Sequence, residues 1–363
     1  MIKQREKSAP RASHPRSCAA SRGLVDWANP MTSPAVVFPR PGAAEVQEVS
    51  VPSPGEGDVL LDVHWSALSP GTERWCLTGA LVTPTETSPA FPHVPGYQAS
   101  GVVREVGRGV TTIAPGDRVF SRNCMAPPGW SGSWWGGHVG VHVAPEQAVI
   151  RLPPAVSTEQ AAGLLLAQVG FNGASKPPVR PGDNAVVIGE GLVGLYAAQV
   201  LRSRGAKVIV SGLQRFRLDV ARRTTGLETF EASSGDLARF VKDRFPRGVD
   251  VVVDTASSSA TVKLASSLLR AGGHLVLNGF YPPTESLIDW HWLRGKEITL
   301  YCPNSRTRER LEATLALIAE GTLMVGPLTT HRLPVQEAGR AYEMLLDREA
   351  EFLGIVLRWP GAA

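Results

Sequence analysis

The chain contains no run of about eighteen consecutive apolar residues, the length a membrane-spanning helix needs, so no such span is expected. Its longest apolar stretches, such as "VDVVVDTA" at 249–256, have strand length. Cysteine is equally scarce. Cys18, Cys76, Cys124 and Cys302 are scattered without any C-x-x-C spacing, which argues against a structural zinc knuckle and a disulfide framework. A reducing, cytoplasmic setting follows from that usage. A charge excess is missing from the body of the chain. The net +4 resides in residues 1–30, where Lys3, Arg5, Lys7, Arg11, Arg16 and Arg22 face only Glu6 and Asp26. The rest is balanced at 31 basic against 31 acidic residues, so a surface tracking nucleic acid is not expected.

What is present has the character of a two-domain globular protein. Its 363 residues exceed one ordinary core, and 43% of them are apolar against 19% charged. Residues 1–30 lack periodicity and read as a disordered basic extension. From residue 35, short runs such as "AVVF", "VLLDVHW", "SGVVREVG" and "HVGVHVA" are punctuated by Gly and Pro, which predicts an all-β, barrel-like unit. The texture changes near 158. "STEQAAGLLLAQVGFNGAS" predicts one helix capped by Ser157 or Thr158. Strands and helices then alternate through "HLVLNGF", which predicts a doubly wound parallel sheet. Two more helices follow, "SRTRERLEATLALIAEG" and "PVQEAGRAYEMLLDRE", and "LGIVLRW" reads as a strand returning to the first unit.

The segment "NAVVIGEGLVGLYAAQV" sets Gly189, Gly191 and Gly194 in G-x-G-x-x-G spacing between a strand and a helix. The first glycine suits a tight turn, the second close approach of a pyrophosphate, and the third close helix–strand packing. The following strand, "KVIVSG", ends in Ser211 and Gly212 where NAD sites usually carry an acid, and Arg215 and Arg217 come next. Removing the acid lifts repulsion of a 2′-phosphate, and an arginine can pair with it, so NADP(H) is favoured over NAD(H). Alternatively the arginines are solvated residues at a helix start, and NAD(H) binds through Ser211.

"PGDRVF", "RPGDNAVVIGEGLVGLYAAQV", the β-rich first half and the returning strand together resemble the medium-chain dehydrogenase/reductase superfamily over residues 35–359. "SPGTE", "VPGYQASG", "NGFY" and "GPLTTHRLPVQEAGRAY" look most like its branch of hydroxyethyl-bacteriochlorophyllide dehydrogenases. The resemblance implies a GroES-like catalytic domain, formed by 31–157 and 302–363, and a Rossmann domain over 158–301. It also implies a homodimer. Zinc members carry Cys-Gly-Thr-Asp, then Gly-His-Glu, then a further Cys or Glu. Here Pro70 stands in the first motif, Tyr97 and Gln98 in the second, and Leu166 near the third, while the lobe of four structural cysteines is absent. A catalytic zinc needs about three N, S or carboxylate ligands, so no metal is expected. By the same resemblance Leu192, Thr255, Asn278, Gly279, Phe280 and Arg358 join the glycines, Ser211, Gly212 and Arg215 in holding the cofactor.

Without a Lewis acid, a developing alkoxide needs a positioned hydrogen-bond donor. Tyr97 sits where relatives place a metal-binding His and either donates this proton or fills the space; Thr72 matches the family's relay hydroxyl and Gln98 is a neutral donor. Glu73 corresponds to a buried carboxylate in relatives, and a Glu73–Arg358 pair is expected. Trp75, Trp130, Trp134, Trp135 and Trp290 are the expected walls of a pocket for a bulky, hydrophobic or polycyclic substrate. The leading expectation is a zinc-independent NAD(P)-dependent enzyme acting on a secondary alcohol/ketone pair. Reduction of a conjugated C=C or C=N bond is the alternative, and a nucleotide-binding sensor or structural protein the non-enzymatic one.

Overall fold

The computed structural model describes residues 31–81, 90–122, 130, 136–281, 290–304, 306–347 and 349–362, with the side chain of Trp292 left aside. The first half holds β1 (Met31–Val37), β2 (Glu45–Val51), β3 (Asp58–Ala67), α1 (Pro70–Thr78), β4 (Ala99–Val106), β5 (Arg118–Ser121), β6 (Val141–Pro145) and β7 (Val149–Arg151). Next come α2 (Thr158–Ala162) and α3 (Leu164–Ala174). The alternating section runs β8 (Asn184–Ile188), α4 (Leu192–Ser203), β9 (Lys207–Gly212), α5 (Arg215–Thr225), β10 (Glu228–Glu231), α6 (Leu237–Arg244), β11 (Val249–Asp254), α7 (Ser259–Leu268) and β12 (Leu269–Leu277). It ends with α8 (Trp290–Gly295) and β13 (Thr299–Tyr301). The chain closes with α9 (Arg308–Ala319), β14 (Thr329–Pro334), α10 (Ala338–Leu346) and β15 (Gly354–Arg358).

β3 is the axis of the first unit. It pairs with β4, β6 and β15, so the sheet runs β14-β15-β3-β4-β5-β7 with β6 attached to β3. Strand alternation gives it two apolar faces. Val59, Leu61 and Val63 enter the large core, whereas Leu60 joins a second cluster with Val37, Val49, Val139 and Val143. The C-terminal β15 joins a sheet begun some 290 residues earlier, as "LGIVLRW" leads one to expect.

The second unit is a six-stranded parallel sheet in the order β10-β9-β8-β11-β12-β13. That is the doubly wound arrangement, whose order reverses between β8 and β11, where ligands bind in such sheets. Val186, Ile188, Ile209 and Val252 pack on one face, Ala185, Val187, Val210 and Val253 on the other. Buried residues on both faces explain why these strands read as continuous apolar runs. Among the described residues no helix is long and apolar enough to cross a membrane.

Two local departures bear on the site. The helix expected over "STEQAAGLLLAQVGFNGAS" is divided at Gly163 into α2, started by a capping box of Ser157 and Gln160, and α3. The "PGTE" segment, a loop by resemblance, is the first turn of α1: Pro70 needs no N–H there, and Gly79 ends the helix at φ 71°.

Candidate active site

The glycine-rich turn lies at the switch point between β8 and β11. Gly189 has φ 116°, a conformation that disfavours any side chain, and a Cβ there would overlap the Thr255 hydroxyl. Gly194 faces the Gly189 carbonyl so closely that a Cβ would overlap it, which lets α4 start directly above β8. A Cβ on Gly191 would meet nothing within 4 Å. That open space, beside α4 whose first N–H groups have no side-chain cap, fits a dinucleotide pyrophosphate.

The neighbouring expected residues divide by role. Thr255 donates its hydroxyl to the Ile188 carbonyl at 3.0 Å, and Gly189 N–H donates to the Ser211 carbonyl at 2.8 Å, so both secure the turn. Leu192 is the first residue of α4, half-buried beside the turn. The Asn278 amide donates to the Val169 carbonyl at 3.1 Å and packs on Gly173, tying β12 to α3. Gly279 gives close approach to Ser257. The two arginines expected at a 2′-phosphate lie differently. Arg217 donates through Nε to the Phe352 carbonyl at 2.7 Å and covers the Phe352 ring at 4.8 Å, while Arg215 is 78% exposed and 3.8 Å from Asp219.

In the first unit the chemistry gathers around Tyr97. Its phenol, almost fully buried, is hydrogen-bonded to the side chains of Ser69 and Thr72. Burial pushes its pKa up to about 12, the Glu73 charge adds to the rise, and the two hydroxyls and the Arg306 charge oppose it. The phenol therefore keeps its proton near pH 7. Its backbone is held by glycines: the 96–98 segment lies on Gly137, where a Cβ would come 2.7 Å from Gly96 C and 2.8 Å from Gln98 N. Gly96 itself has φ 85° and lies against the His138 ring.

Glu73 is fully buried and fully engaged. Its Oε1 accepts from Ser69 N–H at 2.9 Å, and its Oε2 from Tyr342 OH at 2.6 Å and beside His138 Nε2 at 3.0 Å. The other His138 nitrogen meets the Ser66 hydroxyl at 2.8 Å, which accepts from Trp359 Nε1 at 2.9 Å. The expected Glu73–Arg358 pair is thus corrected. Arg358 is exposed at the end of β15, opposite Trp65, and His138 and Tyr342 surround the carboxylate in its place. Gln98 is likewise a brace rather than a substrate donor: fully buried, it donates to the Ala67 carbonyl at 3.3 Å and accepts from Leu166 N–H at 3.4 Å.

Of the expected pocket walls, Trp75 lies on α1 two residues past Glu73, and its ring meets Phe280 edge-on at 4.9 Å. α1 therefore links the Tyr97–Ser69–Thr72 hydroxyls to the carboxyl edge of the parallel sheet, where Phe280 is 43% exposed. Trp130 packs with Met31 against the second core of the first unit, and Trp290 is 67% exposed on α8. Trp134 and Trp135 lie outside the described residues. Ser69, unforeseen from the sequence, stands immediately before "PGTE", and a hydroxyl next to that motif was the available signal.

The fit to zinc is poor. Among the described residues no group of three or more His, Cys, Asp or Glu side chains could hold a metal ion. Pro70 opens α1, and Gln98 and Leu166 are hydrogen-bonded to each other.

Two family models match the chain: the alcohol dehydrogenase GroES-like domain over residues 55–154 and the zinc-binding dehydrogenase model over 193–320. The 2-desacetyl-2-hydroxyethyl bacteriochlorophyllide A dehydrogenase of Cereibacter sphaeroides is 29% identical over 342 residues, covering 92% of this chain and all of that protein. A sorbitol dehydrogenase of Halalkalibacterium halodurans is 26% identical, covering 85% of this chain and 94% of that one. Among solved structures, an alcohol dehydrogenase from Thermus sp. ATN1 superposes with a TM-score of 0.78 at 27% identity, over 90% of this chain and 99% of that one.

Proposed function

Since the chain belongs to the medium-chain dehydrogenase/reductase superfamily, we propose that it interconverts a secondary alcohol and a ketone on a bulky apolar metabolite, using a nicotinamide dinucleotide and no metal. The observation that carries this reading is the buried Tyr97–Ser69–Thr72 hydroxyl cluster, in which Tyr97 stands where, by resemblance, zinc relatives carry a metal-binding His. Gly189, Gly191 and Gly194 would hold the dinucleotide, which would supply or accept the hydride. In the reducing direction the carbonyl carbon gains the hydride, its C=O π pair moves to oxygen, and the Tyr97 hydroxyl gives that oxygen a proton. Ser69 and Thr72 donate hydrogen bonds to the phenolate left behind, and a proton taken up from solvent and relayed through these hydroxyls restores the phenol. In the oxidising direction each transfer reverses.

The bulky substrate is supported by the aromatic contact of Trp75 with the exposed Phe280 and by the bacteriochlorophyllide named for the Cereibacter relative. A homodimer belongs to the same proposal. β13 lies at the sheet edge and the exposed Trp290 opens the helix just before it, so light scattering should give twice the chain mass.

The test is turnover of acetyl- or hydroxyethyl-bearing chlorins and bulky aryl ketones by protein stripped with a chelator. Unchanged activity with no bound metal is the expected result. Stoichiometric zinc with chelator-sensitive activity would overturn the metal-free mechanism. A product in which a C=C or C=N bond is saturated and the ketone intact would replace it with the alternative reduction.

A further inference from the structure

The acid that a ribose-reading strand end normally supplies is missing from β9, yet a carboxylate occupies its place. Glu190, the residue between the first two glycines of the turn, extends its side chain across the end of β9. A Cβ built on Gly212 would stand 2.6 Å from Glu190 Cβ and 2.5 Å from Glu190 Cδ, overlapping the carboxylate. Glu190 Oε1 accepts from Gln214 N–H at 3.1 Å, which fixes the group over the strand end. Gly212 and Glu190 are therefore complementary. Gly212, buried and without a side chain, leaves the volume that the Glu190 carboxylate fills.

We propose that Glu190 reads the adenosine ribose by accepting hydrogen bonds from its hydroxyls, and that the protein selects NAD(H) against NADP(H). The inference rests on the dehydrogenase reading. A carboxylate at this point accepts from a ribose 2′-hydroxyl and repels a 2′-phosphate, as an acid at the strand end does. Of the arginines that argue for NADP(H) in the sequence, Arg217 feels the Glu190 charge, but both have other engagements. Arg217 is spent on the Phe352 carbonyl and ring, and Arg215 extends into solvent beside Asp219.

Fluorescence titration of the purified protein with NADH and NADPH reads this without any substrate. The expected Kd for NADH is about 30-fold or more below that for NADPH, equivalent to roughly 2 kcal/mol. Glu190→Gln keeps the size and removes the charge; it should narrow that ratio about tenfold or more, chiefly by tighter NADPH binding. Gly212→Asp alone crowds Glu190 and weakens both ligands. Combined with Glu190→Ala, the same substitution returns a carboxylate to the site and restores the preference for NADH. Native protein that binds NADPH as tightly as NADH, or a Glu190→Gln ratio equal to the native one in folded protein, would overturn the assignment. Binding of neither dinucleotide by folded native protein would overturn the dehydrogenase reading as well, so the two failures are distinct.

Discussion

Replacing Tyr97 by Phe removes one oxygen from a site whose ring is otherwise packed in the core, and this isolates the proposed proton donor. The hydroxyl contributes hydrogen bonds with Ser69 and Thr72, but its burial also costs desolvation, so stability near pH 7 should change by no more than about 1 kcal/mol. Catalysis should change far more. Losing one donor aimed at a developing oxyanion costs about 10²–10³ in kcat, roughly 3–4 kcal/mol of barrier. Ketone reduction by native protein should be flat with pH well into the alkaline range, because the donor stays protonated until pH approaches about 12. Alcohol oxidation needs the phenolate, and its kcat should rise about tenfold per pH unit over the same range. Stability supplies an independent readout. The folded pKa lies above the ordinary value of 10, so this contribution is complete below pH 10 and is lost as pH rises toward 12, by about 3 kcal/mol. The Phe variant should lack that part of the alkaline loss. A Tyr97→Phe protein with kcat within threefold of native would refute the reasoning and leave Tyr97 a space-filling ring.

Tyr342→Phe deprives the buried Glu73 carboxylate of one donor and should lower stability by about 1–3 kcal/mol in urea unfolding, with unchanged dinucleotide affinity. Gly137→Ala pushes a methyl group into the backbone at 96–98; a loss of about 2–3 kcal/mol together with falling kcat is expected from denaturation and steady-state assays. Burial holds the folded pKa of His93 and of His142 at about 4, below the ordinary 6.5. Their contribution is therefore complete above pH 6.5 and is lost as pH falls toward 4, by up to about 3 kcal/mol each. Unfolding midpoints at pH 7 and 4.5 should show this dependence in native protein and less of it in His93→Leu and His142→Leu.

The doubly wound sheet was legible because its inner strands β8, β9, β11 and β12 are buried on both faces and turn signals separate them from the helices, information that is local in the chain. The dinucleotide glycines belong to the same class, since the overlaps that require Gly189 and Gly194 arise within one strand–turn–helix unit and its neighbouring strand. What the sequence did not disclose depends on distant partners. Glu73 meets His138 and Tyr342, 65 and 269 residues away, and no spacing rule ties them together. Arg358 looked a suitable partner by charge and by analogy, yet strand alternation at the end of β15 turns it outward. Glu190 was hidden differently. Reading β9 for its own acid could not reveal that a residue on the preceding turn, 22 positions before Gly212, reaches the same point.

The surroundings of Tyr97 also determine which other groups are available for acid chemistry. The Glu73 charge acts on Tyr97, but both its oxygens are committed, one to the N-terminal backbone of α1 at Ser69 and the other to Tyr342 and His138. A carboxylate at the start of α1 also suits the helix dipole, which helps hold it in place. His138 has both ring nitrogens engaged, with Glu73 and Ser66, and Gln98 is tied to Ala67 and Leu166. These groups fix the orientation of α1 and of the 96–98 segment, and thereby the meeting of Ser69, Thr72 and Tyr97. The proposal that Tyr97 is the proton donor is thus supported by elimination as well as by position. Within this cluster the groups that combine a transferable hydroxyl proton with side-chain partners of their own kind are Tyr97, Ser69 and Thr72. Of the three, the phenol is by far the strongest acid even with its pKa raised to about 12, because aliphatic hydroxyls ionise only well above a phenol.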